Sequence, residues 1–272
     1  MPELPEVETV VRLIRPRLVG RTIRDATFTI PRQLQPQTAR EILRAVKGHS
    51  VKDVRRRGKY ILIELDNGTL LVHLRMTGKL YVRSATLDGG QHERALFVLD
   101  DGREKLVLHD PRTLGTIRFY PAGTAIPALE GLGKEPLEEQ EDIGVMLEKL
   151  QRRSMAIKPL LLNQSLFAGV GNIYASEALW VAKIDPRRPA NELTRAELKR
   201  LTAAVRKVLL RAIEKGGSTL RNFADPEGRA GSYQKEFSVY GREGEPCLHC
   251  GKPVERMVQA QRATYFCKGC QK

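Results

Sequence analysis

Pro2 and Glu3 are the first residues of the chain whose types and positions could do chemistry. If Met1 is removed, Pro2 presents a secondary amine beside the carboxylate of Glu3. An α-amino group titrates near pH ~8, so a useful fraction is unprotonated at neutral pH. When such an amine attacks an aldehyde-like carbon it forms an iminium ion, which is a strong electron sink. On these residues alone a plainer alternative stays open: Pro2 only blocks acetylation, and Glu6 and Glu8 decorate a first helical turn.

Lys59 is a second candidate, because it follows the three arginines Arg55 to Arg57. By itself this run indicates a basic strand edge that contacts phosphate. The like-charged neighbours and partial burial would also favour the neutral form of the lysine, which proton transfer needs. Both roles fit the residues.

The four cysteines all lie in the last 26 residues, as two CxxC pairs separated by 16 residues. This spacing is typical of a structural zinc site, in which four thiolates close the coordination sphere and leave no open position for catalysis. Disulfides are the alternative, and the absence of cysteine from the rest of a large chain argues against them. The predicted ligands are Cys247, Cys250, Cys267 and Cys270.

The charge of the chain limits its partners. It has 272 residues with 46 Lys and Arg against 32 Asp and Glu, a net charge of +14. Such an excess favours a polyanion, and the dispersed basic residues favour nucleic acid over a membrane surface. No apolar run approaches the ~18 residues of a membrane span. The acidic N-terminus does not look like a signal peptide.

The elements that must position these residues change character along the chain. A stripe of Val7, Val10, Val11 and Ile14 predicts a leading helix. The next hundred residues indicate mainly strands, with one hairpin around Asp66-Asn-Gly68 and a second through Asp101-Gly102. Several short strands with turn signals predict a β-sandwich or barrel. A Pro- and Gly-rich stretch at 121–136 then indicates a linker.

The second half has helical periodicity. Thr194-Arg-Ala-Glu197 is a capping box, and an apolar stripe from Leu198 to Ala212 continues the helix until Gly216-Gly217. The loop from Asp225 to Ser232 contains glycines without periodicity, so we expect a mobile segment suited to act as a lid.

Six motifs in this order resemble the formamidopyrimidine-DNA glycosylase family of bacterial DNA glycosylase/AP lyases, from Pro2 to Lys272. They are the N-terminal PELPEVET, Arg56-Arg57-Gly58-Lys59-Tyr60, His73-Leu-Arg-Met76-Thr-Gly78, Asp110-Pro-Arg112, Gly169-Val-Gly-Asn172-Ile-Tyr174 and the terminal cysteine pairs. The resemblance implies an α+β multidomain protein. Its parts would be an N-terminal β-sandwich with a leading helix (1–130), a helix–two-turns–helix DNA-binding domain with a lesion-capping loop (131–237), and a C-terminal zinc ribbon (238–272).

The resemblance also implies the catalytic residues. Pro2 would attack the sugar of an everted nucleotide and expel the base, and Glu3 would move protons at the sugar. Lys59 would act near the lesion and its 3′ phosphate, and Arg262 would bind phosphate and assist the second strand cleavage. Glu6 would support this site, although a solvated acidic residue at a helix N-terminus is the alternative. A surface arginine is the alternative for Arg262.

Further positions resemble the family's DNA contacts. For His73 a core histidine is the alternative, and for Asn172 a plain helix N-cap. Ser218 to Phe223 and the loop after them would cover the everted base. The predicted DNA-contacting residues are His73, Met76, His92, Arg112, Leu114, Lys158, Asn172 and Tyr240.

Two positions depart from the family pattern. Met76, Arg112 and Leu114 match the residues that fill the gap left by the everted base, and Arg112 matches the one that contacts the orphaned cytosine. Leu114 replaces an aromatic wedge, and Thr113 replaces a usually basic neighbour. We therefore predict weaker lesion searching or a looser preference for the opposite base, since leucine can wedge but cannot stack.

The predicted function is excision of oxidised purines (8-oxoguanine and formamidopyrimidines) followed by strand cleavage by β,δ-elimination. The predicted partner is double-stranded DNA with oxidised bases or abasic sites. We expect a monomer in the bacterial cytoplasm, associated with the nucleoid, with one structural zinc and no organic cofactor. An endonuclease VIII-like enzyme for oxidised pyrimidines is the nearer alternative, and a non-catalytic zinc-ribbon DNA-binding protein the more distant one.

Overall fold

The computed structural model describes residues 1–87, 89–138, 143–218 and 231–272. Contacts divide the chain into two compact units, one of residues 1–130 with 216–231 and one of residues 131–215 with 232–272. Most of the predicted lesion-covering segment (219–223) and of the predicted mobile loop (225–230) lies outside the described residues. The division into three domains at 130 and 237 remains a prediction.

The leading helix of the first unit forms as predicted. Helix α1 (Leu4–Leu18) has a proline in its first turn, where the missing N–H is not needed. Its predicted stripe of Val7, Val10, Val11 and Ile14 is buried. A stripe at this spacing points to one side of the helix, and α1 packs with it onto strand β2 (Val51–Arg57).

Two four-stranded antiparallel sheets form the body of the first unit, in the orders β1-β6-β7-β5 and β2-β3-β4-β8. One buried cluster draws on both sheets and on α1, so the predicted β-sandwich with a leading helix is confirmed. The remaining strands are β1 (Ile23–Phe28), β3 (Tyr60–Leu65), β4 (Gly68–His73), β5 (Lys79–Ser84), β6 (Glu93–Leu99), β7 (Glu104–His109) and β8 (Thr116–Pro121).

Both predicted hairpins are present. In the first, Leu65 pairs with Gly68, so β4 begins one residue earlier than expected and Asp66-Asn67 form the loop. Helix α2 (Ala39–Val46) is an addition that hydrophobic periodicity did not reveal. Its signal is local, because Thr38 and Glu41 form a reciprocal capping box.

The second unit is helical before its terminal hairpin. Its helices are α3 (Ile143–Gln151), α4 (Ile157–Leu162), α5 (Asn172–Ala182) and α6 (Arg195–Glu214). The predicted capping box of α6 is confirmed, since Glu197 N–H donates to Thr194 Oγ1 at 3.3 Å and Thr194 N–H to Glu197 Oε2 at 2.9 Å. Strands β9 (Glu255–Gln259) and β10 (Arg262–Phe266) form the hairpin. Among the described residues no helix combines the length and apolarity that crossing a membrane requires.

Candidate functional site

The N-terminus of α1 holds the first two predicted catalytic residues in buried positions. Pro2 is buried, and the Glu3 side chain is only 3% exposed. Glu3 is the N-cap of α1 and forms a reciprocal capping box with Glu6, whose Oε2 accepts the Glu3 backbone N–H at 2.8 Å. A carboxylate at a helix N-terminus is stabilised by the N–H dipoles there. The helix cap therefore holds the carboxylate of Glu3, the residue that follows Pro2, in a fixed position.

Glu6 is buried as well, so the alternative of a solvated acidic residue is wrong. Its side chain is 2% exposed, and its Oε1 accepts the backbone N–H of Ser218 at 2.8 Å and the Ser218 hydroxyl at 3.1 Å. Gly217 precedes this contact with φ of 82°, and a Cβ there would approach Glu6 Oε1 to 2.8 Å. Glycine is therefore required for the close approach. Glu6 joins the N-terminus of α1 to the start of the predicted base-covering segment.

Lys59 lies in the tight turn between β2 and β3 and is 8% exposed. Its turn is held from α1 by Arg56, which donates to Glu8 Oε2 at 3.0 Å and to the Gly58 carbonyl at 3.1 Å. Burial alone would raise the pKa of Glu8, but the hydrogen bonds from Arg12 and Arg56 outweigh it and hold that pKa below its usual value. Glu8 thus pairs with Arg12 and Arg56. Its position in the first turns of α1 did not predict these partners.

His73 ends β4 as a buried, neutral base. Its Nδ1 accepts the backbone N–H of Arg75 at 2.9 Å, which leaves Nε2 as the ring nitrogen for another partner. Burial first, and then the positive charges of Arg75 and Lys59, lower the pKa of His73 to about 3. The Tyr60 ring packs edge-on against it at 4.6 Å. Sequence reasoning left a core histidine open, and the buried imidazole has features of one.

The three predicted gap-filling residues lie on two loops of the first unit. Met76 is on the loop between β4 and β5 and is 37% exposed. Arg112 and Leu114 are on the loop between β7 and β8, where Leu114 is 39% exposed. His92 precedes β6 and accepts the Asp110 backbone N–H through its carbonyl at 2.9 Å. Exposed apolar side chains at loop tips are what a wedge between bases needs.

In the second unit the structure brings together three predicted DNA contacts around the backbone of Ala263. Lys158 is fully buried, and its Nζ donates to Asn172 Oδ1 at 2.7 Å, to Ala263 O at 3.0 Å and to Thr264 Oγ1 at 2.8 Å. Asn172 Nδ2 donates to Ala263 O at 2.9 Å and to the Tyr240 hydroxyl at 3.5 Å. A contact from Lys158 to phosphate would have to replace one of these bonds.

Arg262 is exposed at the start of β10, directly after the turn residues Ala260 and Gln261. Both turn residues have positive φ, 46° and 59°, as a two-residue hairpin loop requires. The hairpin thus presents one guanidinium beside its tip. Because Ala263 follows Arg262, the Lys158 and Asn172 bonds fix the backbone that carries it.

The four cysteines converge at the base of this hairpin, with their sulfurs all within 4.8 Å of one another. The Cys247–Cys270 and Cys250–Cys267 sulfur distances are 3.8 and 3.4 Å, far longer than an S–S bond. Tetrahedral zinc with Zn–S bonds of ~2.3 Å would separate its sulfurs by ~3.8 Å. The donor set therefore fits one structural zinc ion, and the disulfide alternative is wrong for this site.

Sequence reasoning missed Glu177, which holds one of the predicted contacts in place. It is 1% exposed in α5, and its carboxylate accepts the backbone N–H groups of Ser238, Val239 and Tyr240 at 2.8–2.9 Å. Burial raises its pKa despite these bonds. Its only signal in the sequence is a charged residue inside an otherwise apolar helix.

Comparisons with known proteins agree with this geometry. Three family models match: the formamidopyrimidine-DNA glycosylase N-terminal domain over residues 1–117, the H2TH domain of the same family over 132–224, and a zinc finger found in FPG and IleRS over 244–272. The formamidopyrimidine-DNA glycosylase of Herpetosiphon aurantiacus is 44% identical, with both chains fully covered. The corresponding protein of Symbiobacterium thermophilum is 45% identical, covering all of this chain and 89% of its own.

Solved structures give the same result. A Lactococcus lactis FPG mutant in complex with Fapy-dG containing DNA superposes with a TM-score of 0.93 at 35% identity over both full chains. The MutM (FPG) protein of Thermus thermophilus superposes with a TM-score of 0.88 at 43% identity, over 99% of this chain and 98% of its own. The chain therefore belongs to the formamidopyrimidine-DNA glycosylase family.

Proposed function

We propose that this protein excises oxidised purines from double-stranded DNA and then cuts the strand at the resulting abasic site. It is a DNA glycosylase of base excision repair with a second, lyase activity. Extruding the damaged nucleotide costs a few kcal/mol of stacking and pairing. The protein offsets this cost with contacts to phosphates and to the gap left in the duplex.

The amine of Pro2 is the nucleophile once Met1 is gone. It attacks C1′ of the everted nucleotide, the glycosidic bond breaks, and the base leaves with its electron pair and a proton. Glu3 protonates the sugar ring oxygen, so the ring opens and an iminium joins Pro2 to the sugar. Loss of a C2′ proton then expels the 3′ phosphate, a second elimination expels the 5′ phosphate, and water releases the amine.

Lys59 and Arg262 act on the phosphates around this sugar. Lys59 acts near the lesion and its 3′ phosphate, and the turn that carries it is held to α1 through Arg56 and Glu8. Arg262 grips phosphate with a planar guanidinium, for which bidentate geometry matters. Five further residues contact the DNA backbone or hold in place the groups that contact it. They are His73, His92, Lys158, Asn172 and Tyr240.

The zinc ion is structural, since its four thiolate ligands leave no open coordination position. It rigidifies the hairpin that carries Arg262. We place the protein in the bacterial cytoplasm, at the nucleoid, acting as a monomer on damaged or abasic DNA.

The observation that carries this proposal is the buried N-terminus of α1, where the Glu3 carboxylate caps the helix beside Pro2. The cap fixes this carboxylate on the residue that follows the proposed nucleophile, where proton transfer at the sugar requires an acid. Excision of oxidised pyrimidines is the second candidate, favoured by Leu114 in place of an aromatic wedge.

Borohydride trapping with parallel duplexes tests the proposal. Incubation with duplex containing oxidised guanine should yield a covalent protein–DNA adduct, and undamaged duplex should yield none. Pro2→Gly and Glu3→Gln proteins should lose most of the adduct. Preferential trapping on oxidised thymine would favour the second candidate, and no adduct on any damaged duplex would refute both.

A further inference from the structure

Two exposed loops of the first unit share an unusual backbone feature. Arg75 has φ of 52° and Thr113 has φ of 54°, both in the left-handed backbone region that residues other than glycine seldom adopt. This conformation is unfavourable for a residue that carries a Cβ. Each of these residues directly precedes an exposed apolar side chain, Met76 in one loop and Leu114 in the other. Other contacts must therefore hold the loops in shape.

Asp110 supplies contacts to both loops from a fully buried position. Its Oδ2 accepts the Gly115 backbone N–H at 2.7 Å, which closes the loop carrying Arg112 and Leu114. Its Oδ1 accepts the Thr77 hydroxyl at 2.6 Å, which reaches the loop carrying Met76. Gln33 Nε2 donates to Oδ2 at 3.0 Å and is itself buried. One carboxylate is thus bonded to both loops at once.

The surroundings of Asp110 reinforce this link. Its own carbonyl accepts the Thr113 N–H at 3.2 Å and Arg94 Nε at 3.1 Å. A Cβ on Gly115 would approach Asp110 Oδ2 to 3.2 Å and the His73 carbonyl to 3.3 Å, so the second loop lies directly against the end of β4. Hydrogen bonds to a charged group are roughly twice as strong as neutral ones.

We propose that Asp110 is a positioning residue that couples the Met76 loop to the Arg112–Leu114 loop, so that the two loops enter the gap in the duplex as one rigid unit. The inference rests on the proposed function and assigns the choice of opposite base to this coupling. If the loops moved independently, Arg112 could shift to accommodate a purine opposite the lesion while Met76 kept its own position in the gap. With the loops joined, a wrong base displaces both side chains.

Thr77→Val tests the coupling most cleanly, because it removes the hydroxyl donor and keeps the volume. In the zinc-loaded, full-length protein, single-turnover excision of oxidised guanine is measured opposite cytosine and opposite adenine. The cytosine-to-adenine ratio should fall about three- to tenfold, the range that corresponds to the net contribution of one typical hydrogen bond. Thr77→Ser keeps the donor and should retain the ratio. Thr69→Val, the same change near the start of β4, is the matched control.

A merely structural role for Thr77 would lower the melting temperature and slow both rates together, leaving the ratio unchanged. A double-mutant cycle of Met76→Ala and Leu114→Ala gives a second measurement. Their effects should be non-additive in the wild-type background and close to additive in the Thr77→Val background. An unchanged ratio, or equal non-additivity in both backgrounds, overturns the coupling while leaving the glycosylase intact. Absence of excision by the wild-type protein would instead refute the proposed function.

Discussion

At the scale of single residues, the candidate site is held by buried polar groups that accept several hydrogen bonds each. Glu6 and Glu177 accept bonds from backbone N–H groups far away in the sequence, and Asp110 accepts the N–H of Gly115 in its own loop as well as two distant side chains. Removing one hydrogen-bond partner from such a buried group lowers the free energy of unfolding by roughly 1–3 kcal/mol. The side chains expected to touch DNA therefore depend on carboxylates that hold the backbone around them.

The buried His73 predicts a pH dependence of stability. In the unfolded chain the pKa of His73 is about 6.5, and in the folded protein it is about 3. Between these two pH values the unfolded state binds a proton at His73 that the folded state does not bind. This stability is present above pH 6.5 and is lost as the pH falls from there toward 3. Between about pH 7.5 and 5 the loss is about 2 kcal/mol, from 1.36 kcal/mol per pKa unit. Urea unfolding of His73→Gln should show a pH dependence weaker by this amount, and identical slopes would contradict the burial argument.

Leu114 predicts a gain of function on substitution. It wedges without stacking, and aromatic stacking contributes roughly 1–3 kcal/mol per base. Leu114→Phe should therefore improve discrimination of the lesion from normal guanine by about tenfold in single-turnover rates. Leu87→Phe, which changes another exposed leucine, controls for added aromatic surface. Unchanged rates across all opposite bases would show that the wedge does not limit the search.

At the scale of elements, the sequence predicted features that are encoded within a few residues, but it did not predict contacts between residues far apart in the chain. The Asp66-Asn-Gly68 hairpin, the Thr194 capping box and the cysteine pairs are each encoded within a few residues, and all three are found in the structure. Asp110 meets Gln33 across 77 positions, and Glu177 meets Val239 across 62. No periodicity connects such pairs, because the fold alone brings them together.

The zinc hairpin predicts a linked loss of metal and DNA binding. Trp180 is the only tryptophan of the chain and packs against the small core that contains Cys247 and Cys267. Because structural zinc contributes directly to folding, a chelator should change Trp180 emission and abolish DNA binding over the same concentration range. Chelator saturated with zinc is the control, and added zinc should restore both signals. Loss of DNA binding with unchanged emission would contradict a structural role for the metal.

At the scale of the whole molecule, a net charge of +14 and a full-length family match agree on a polyanionic partner. Binding should weaken steeply with salt, since each neutralised phosphate releases counterions. Charge alone could not distinguish a repair enzyme from a binding protein. The order of the motifs makes that distinction.

The most direct test of this account is mass spectrometry of the borohydride-trapped complex. The active protein should have the mass of the chain without Met1, and proteolysis should place the sugar adduct on the peptide that begins with Pro2. Retention of Met1 on active protein, or an adduct on a lysine such as Lys59, would contradict the proposed mechanism.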